Sequence, residues 1–108
     1  MDLFDLSGRV AVITGGNRGI GLAIAEGLAS TGATCVIANR TAGQGEEAAE
    51  MLRRKNFKAY AIPADVSQRE SVQKLVSAVK ERFDHIDILV NSAAIILRKP
   101  KEDITDRE

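Results

Sequence analysis

Apolar positions along this chain fall into short blocks whose spacing alternates between two periods. Four blocks are compact and rich in β-branched or alternating apolar residues: 9–14, 34–38, 57–62 and 86–90. Blocks of this length read as strands, continuous where both faces are buried and alternating where one face is wet. Between them the apolar residues take helical spacing. Ile20, Ala23, Ile24, Gly27 and Leu28 do so over 18–30, and Val72, Leu75, Val76, Val79 and Phe83 trace one helical face over 67–83. A third helix is predicted over 41–55, with its first turn weakened by Gly43 and Gly45. Thr41 with Gln44, and Ser67 with Glu70, have the spacing of capping boxes. Gly32 suits the position just past the first helix, and Pro63 closes the third strand. Residues 1–8 read as an irregular lead-in, with Phe4 and Leu6 as anchors and Ser7-Gly8 as a turn.

The predicted order is βαβαβαβ. Parallel strands joined by right-handed helical crossovers make a doubly wound sheet. A reversal of direction after the third strand gives the strand order 3-2-1-4, and it opens a ligand crevice between the ends of strands one and four. The fold class is therefore α/β, a partial Rossmann-like sheet.

The stretch Thr14-Gly-Gly-Asn-Arg-Gly-Ile-Gly21 lies at that crevice. A strand that turns through glycines into a helix builds an anion site, because the helix start offers unpaired N–H groups and the positive end of its dipole. Gly15 suits the tight turn, Gly19 lets a phosphate approach the backbone, and Gly21 lets helix and strand pack closely. The spacing Gly-x-x-x-Gly-x-Gly is one residue longer between its first glycines than the common dinucleotide fingerprint.

Length and charge narrow the partners. With 108 residues the chain is one domain at most, and its 15 basic and 15 acidic residues cancel. No basic excess or interleaving of arginine with aromatics points to nucleic acid. No apolar run is long enough to cross a membrane, and the acidic start does not have the form of a secretory signal, so a cytoplasmic setting is expected. Cys35 is the sole cysteine and sits in an apolar strand, where it reads as a small buried residue. His85 reads as a solvated connector residue, and the charges of 46–55 as a solvated helix face.

Three elements in sequence, the glycine turn, Asp65-Val66 after strand three and Leu89-Val-Asn-Ser-Ala-Ala94 after strand four, together resemble the N-terminal half of the short-chain dehydrogenase/reductase family. The resemblance spans nearly the whole chain. It implies a dinucleotide held by Gly15, Asn17, Arg18, Gly19, Ile20 and Gly21 at the pyrophosphate side, by Asp65 and Val66 at the adenine, and by Asn91, Ser92 and Ala93 after strand four, with Asn91 stabilising the central sheet near the cofactor. The family's usual Asn-Asn-Ala-Gly is here Asn-Ser-Ala-Ala, and a methyl at Ala94 crowds the nicotinamide ribose. The segment 95–100 is similar to the gluconate and deoxygluconate dehydrogenases of the family, which implies a sugar-acid substrate whose carboxylate suits Arg98 or Lys99.

Cofactor preference is legible at the end of strand two. An acidic residue there accepts hydrogen bonds from the adenosine ribose and repels a 2′-phosphate. Here Asn39 is neutral, and Arg40 and Arg18 offer guanidinium groups that pair with phosphate. NADP(H) is expected over NAD(H).

The family's proton chemistry uses a Ser and a Tyr-x-x-x-Lys pair. The sole tyrosine, Tyr60, is followed four positions on by Ala64, and it lies in strand three. The 108 residues are thus expected to be the dinucleotide-binding half of the domain, without the catalytic half: a chain that binds cofactor and turns nothing over alone. A non-enzymatic nucleotide-binding or assembly module is the alternative. The almost wholly apolar fourth strand would be an edge, and is expected to make the chain a homo-oligomer or to associate with a further strand.

Overall fold

The computed structural model describes residues 5–15 and 19–91. The elements are β1 (Val10–Thr14), α1 (Gly19–Ser30), β2 (Thr34–Asn39), α2 (Ala42–Arg54), β3 (Ala59–Pro63), α3 (Arg69–Phe83) and β4 (Ile88–Asn91). The strands form one parallel sheet in the order β3-β2-β1-β4. The order predicted from the pattern is the one found.

Two cores lie on opposite faces of the sheet, as the period of two along a strand requires. Ala11, Ile13, Cys35 and Ile37 point to one face, where Ala25 and Ala29 of α1 and Ala48, Ala49 and Leu52 of α2 cover them. Val10, Val12, Val36 and Ala38 point to the other, beneath Leu75 and Val79 of α3. Burial makes the Cys35 thiol a weak acid, with its pKa pushed up to about 11, and its Sγ lies 3.4 Å from the Ala25 carbonyl. Tyr60 packs tilted on Phe83, ring centroids 5.1 Å apart, with the Arg82 guanidinium 5.0 Å above its ring. Both residues are structural, as expected.

Several local expectations change. The buried residues of α1 are Gly21, Ala25 and Ala29, whereas Ala23 and Gly27 are exposed. Nearly every residue of this helix is small or apolar, so periodicity did not single out a face; close approach to the sheet selects the smallest stripe. The α1 stop follows the expected plan: Gly32 has φ +105°, Gly32 N donates to Ala29 O (3.0 Å) and Ala33 N to Leu28 O (3.2 Å), the two bonds of a Schellman turn. Asn56, at φ 68°, ends α2 in the same manner, with Phe57 N donating to Leu52 O. That turn occupies residues 56–57, so β3 starts at Ala59 and runs through Pro63. Pro63 is accommodated because β3 is an edge strand among the described residues.

Of the two capping boxes, Thr41 is the N-cap of α2 but makes no side-chain capping bond. The N-cap of α3 is Gln68 and not Ser67, because Ser67 is engaged by Asp65. His85 is not simply solvated: its Nε2 lies 3.1 Å from the Gly8 carbonyl and 3.0 Å from Asp87 Oδ2. Asp87 in turn accepts from Val10 N at 2.8 Å, which ties the entry of β4 to that of β1. The helix-face charges are partly paired: Arg53 contacts Glu46 and Glu50, and Lys55 reaches Glu26 of α1. Phe4 lies outside the described residues. Among the described residues no helix is long and apolar enough to cross a membrane.

Candidate functional site

All four strands deliver their C-terminal ends to one edge of the sheet, since they are parallel. At β1 the chain leaves Thr14 into Gly15, whose φ is 72°. This is the left-handed region that glycine reaches without steric cost. Gly15 N donates to Ala38 O at 2.8 Å, which fastens the turn to β2. Gly19 opens α1 with φ 63°, and a Cβ there would meet nothing within 4 Å among the described residues beyond its chain neighbours and its own helix backbone. Space and backbone freedom therefore coincide at the helix N-terminus, where N–H groups stand unpaired by the helix itself. Ile20 is 64% exposed beside it, and Gly21 is buried beneath.

The crevice between β1 and β4 is held by Thr14. Its side chain is buried, and Oγ1 lies 3.0 Å from Asn91 Oδ1 and 3.3 Å from the Val90 carbonyl. Register pairing of Thr14 with Asn91 brings the glycine turn and Asn91 side by side, as the sequence expectation required.

On the other side, β2 ends at Asn39. Its amide Nδ2 donates to the Thr41 carbonyl at 2.8 Å, and its own carbonyl accepts from Ala64 N at 2.9 Å. Arg40 follows, exposed. Asp65, just past β3, accepts at Oδ1 from Ser67 Oγ (2.6 Å) and Ser67 N (3.0 Å). These two bonds, and then the positive field of Arg40, hold its carboxyl below the usual carboxylate range. Asp65 N donates to Ser71 Oγ at 2.8 Å, anchoring the loop on α3. Val66 is 42% exposed alongside.

The structure thus brings together Gly15, Gly19, Ile20, Asn39, Arg40, Asp65, Val66 and Asn91 along one sheet edge, with Gly21 below. Asn17, Arg18, Ser92 and Ala93, and the basic pair Arg98 and Lys99, lie outside the described residues. The edge can bind an extended anionic ligand at the glycine turn and a planar or hydroxylated group toward β2 and β3. Among the described residues the histidine and the cysteine both stand away from this edge: His85 sits at the opposite end of the sheet and Cys35 is buried.

Three supporting residues escaped the sequence reading. Ser67 and Ser71 fix Asp65, and the signal for Ser67 was present, since Asp-x-Ser is the spacing of an Asx turn. Gly45 lies under Asn39, where an added Cβ would fall 2.3 Å from Oδ1. Two glycines in the first turns of a helix had a cost without a stated reason, which was its signal.

The chain as a whole is similar to known proteins in sequence and in fold. The model of the short chain dehydrogenase family matches residues 9–108. Gluconate 5-dehydrogenase of Gluconobacter oxydans is 38% identical over 107 residues, covering 99% of this chain and 42% of the relative. A short-chain dehydrogenase/reductase homologue of Bacillus subtilis is 37% identical over 97 residues, covering 89% of both. The solved NADP active-site complex of Pseudomonas aeruginosa RhlG superposes with a TM-score of 0.76 at 42% identity, covering 82% of this chain and 35% of that one. The chain therefore spans about two fifths of the length of the gluconate dehydrogenase and nearly all of the Bacillus relative. By its family match and its doubly wound sheet, this chain belongs to the short chain dehydrogenase family.

Proposed function

We propose that this chain binds NADP(H) and forms the dinucleotide-binding half of an oxidoreductase site. The whole site would transfer hydride between the nicotinamide and a carbonyl or secondary alcohol, a sugar acid being the preferred substrate class. The observation that carries the reading is the β2 end: a neutral Asn39 and an exposed Arg40, one strand away from a glycine turn with its two left-handed glycines. The NADP bound by RhlG and the sugar-acid names of the relatives support it. In this reading the glycine turn and α1 hold the pyrophosphate, Arg40 with Arg18 the 2′-phosphate, Asp65 and Val66 the adenine, and Asn91 with Ser92 and Ala93 the far ribose. NADP(H) supplies the hydride chemistry when bound; residues 1–108 contain no Tyr-x-x-x-Lys to move the proton.

The test is a fluorescence titration with NADPH. Saturable binding that Gly19→Val abolishes supports the reading, because a β-branched residue resists φ 63°. Binding unchanged by Gly19→Val refutes it. With gluconate or 5-ketogluconate added, no oxidation or reduction of cofactor is expected from this chain alone, and substrate-dependent turnover would contradict the assignment of a binding half. The second reading, a nucleotide-binding or assembly module that works without catalysis of its own, is favoured by the absence of a Tyr-x-x-x-Lys from residues 1–108.

Assembly follows from the same reading. Among the described residues β4 pairs with β1 alone, and Leu89 is 68% exposed on it. An unpaired apolar edge templates another strand. In a purified sample the strand at hand is a second copy of this chain, so a dimer through β4 is expected. Light scattering should show Leu89→Lys shifting it to monomer; a monomer before substitution would refute the assignment.

A further inference from the structure

We propose that Gly45 is a positioning residue for cofactor choice: it lets Asn39 fold back onto α2, and so keeps the end of β2 open to a 2′-phosphate beside Arg40. The inference rests on the NADP(H) reading above and deepens it.

Gly45 lies inside α2, and its backbone is not in the left-handed region. Helical geometry does not require glycine there, and alanine would favour the helix. What distinguishes the position is its neighbour. A Cβ at Gly45 would lie 2.3 Å from Asn39 Oδ1, 3.4 Å from Asn39 Cγ and 3.6 Å from the Ala61 Cβ, whereas at Gly43 it would meet nothing within 4 Å. The Asn39 amide occupies that space because Nδ2 donates to the Thr41 carbonyl at 2.8 Å. Its backbone cannot retreat, since the Asn39 carbonyl accepts from Ala64 N and its register position pairs with Pro63.

A methyl at position 45 therefore expels the amide. The Ala61 methyl stands 3.6 Å from the same added Cβ, so the displaced amide is proposed to turn the other way, toward Arg40 and the strand end. There the amide oxygen competes for the guanidinium and the side chain fills the room of a 2′-phosphate. An unphosphorylated ribose loses much less, because it lacks the group that the amide displaces. Asn39 is thus neutral toward a 2′-phosphate by type, and out of its way by virtue of Gly45.

Calorimetric titration of the 108-residue chain with NADP+ and NAD+ tests this. Gly45→Ala should weaken NADP+ binding about tenfold, the scale of one lost charge-assisted hydrogen bond, and NAD+ binding by much less. Asn39→Ala/Gly45→Ala should bind both as Asn39→Ala alone does, since the methyl then has nothing to expel. A far-ultraviolet melt no lower than that of the unsubstituted chain shows that Gly45→Ala is folded. A merely structural role moves both ligands together and is not rescued by Asn39→Ala. An NADP+ preference that Gly45→Ala leaves intact, or a loss that the double variant retains, overturns this inference and leaves the NADP(H) reading standing. No preference in the unsubstituted chain overturns both.

Discussion

Alanine at two glycines should change stability in opposite directions. Gly32 ends α1 at φ +105°. Its added Cβ would sit 2.8 Å from Ser7 Oγ, 3.0 Å from Ser7 N and 3.2 Å from Ser7 Cα. The hydroxyl can swing away, but the backbone is held: Leu6 N donates to Thr31 O at 2.8 Å and Arg9 N to Leu6 O at 3.0 Å. Gly32→Ala must therefore carry a disfavoured φ, at about 1–3 kcal/mol, and lengthen the Leu6–Thr31 bond, at about 1 kcal/mol. The sum, about 2–4 kcal/mol, is a large share of the ~5–15 kcal/mol expected for a domain of this size. It corresponds to a Tm lower by roughly 10–25 °C. Gly27 lies exposed within α1, with nothing within 4 Å of an added Cβ, so Gly27→Ala should gain about 1 kcal/mol from helix propensity. Thermal and urea unfolding followed by circular dichroism measure both, with the urea slope showing whether the two-state frame holds. A Gly32→Ala midpoint within a degree or two of the parent, or both variants moving the same way, would refute the argument.

Leu52→Ala should cost about 2–5 kcal/mol in urea unfolding, because Leu52 is fully buried between α2 and the sheet and the cavity would open at the centre of that layer. Asp65 titrates below its ordinary range, first through the Ser67 hydroxyl, then the Ser67 N–H, then Arg40. A carboxyl with a depressed folded-state pKa stabilises above its unfolded pKa, and that contribution disappears as pH falls through the folded value. Asp65→Asn should therefore leave a flatter stability profile below about pH 4, measured as urea midpoints across acid pH; a profile with the parent's slope would contradict it.

Topology was legible because the apolar blocks change period at each element, and the strand-to-helix turn at Gly15–Gly21 marks where the sheet reverses. Gly32 was legible too, since a glycine past a helical run has one common use. The face of α1 was not: a helix of alanine, glycine, leucine and isoleucine with Glu26 as its one charge has no polar stripe, and only packing shows that Ala25 and Ala29, rather than Ala23 and Gly27, meet the sheet. The start of α3 was misplaced because Ser67 has the side chain of a cap but gives it to Asp65, two residues back. At the site, residue types at strand ends could be read directly. Their supports, Ser71 beneath Asp65 and Gly45 beneath Asn39, depend on which helix turn passes which strand end, and that is set by the crossover geometry and not by local pattern.

The β2 end, with neutral Asn39 and exposed Arg40, is proposed to select a 2′-phosphate. Calorimetry of this chain with 2′,5′-ADP and with 5′-AMP isolates that group from the nicotinamide half. Tighter binding of 2′,5′-ADP is expected, with a gap that Arg40→Ala narrows by about 1–3 kcal/mol, the scale of a hydrogen bond to a charged group. Equal affinity for the two ligands in the unsubstituted chain would contradict it.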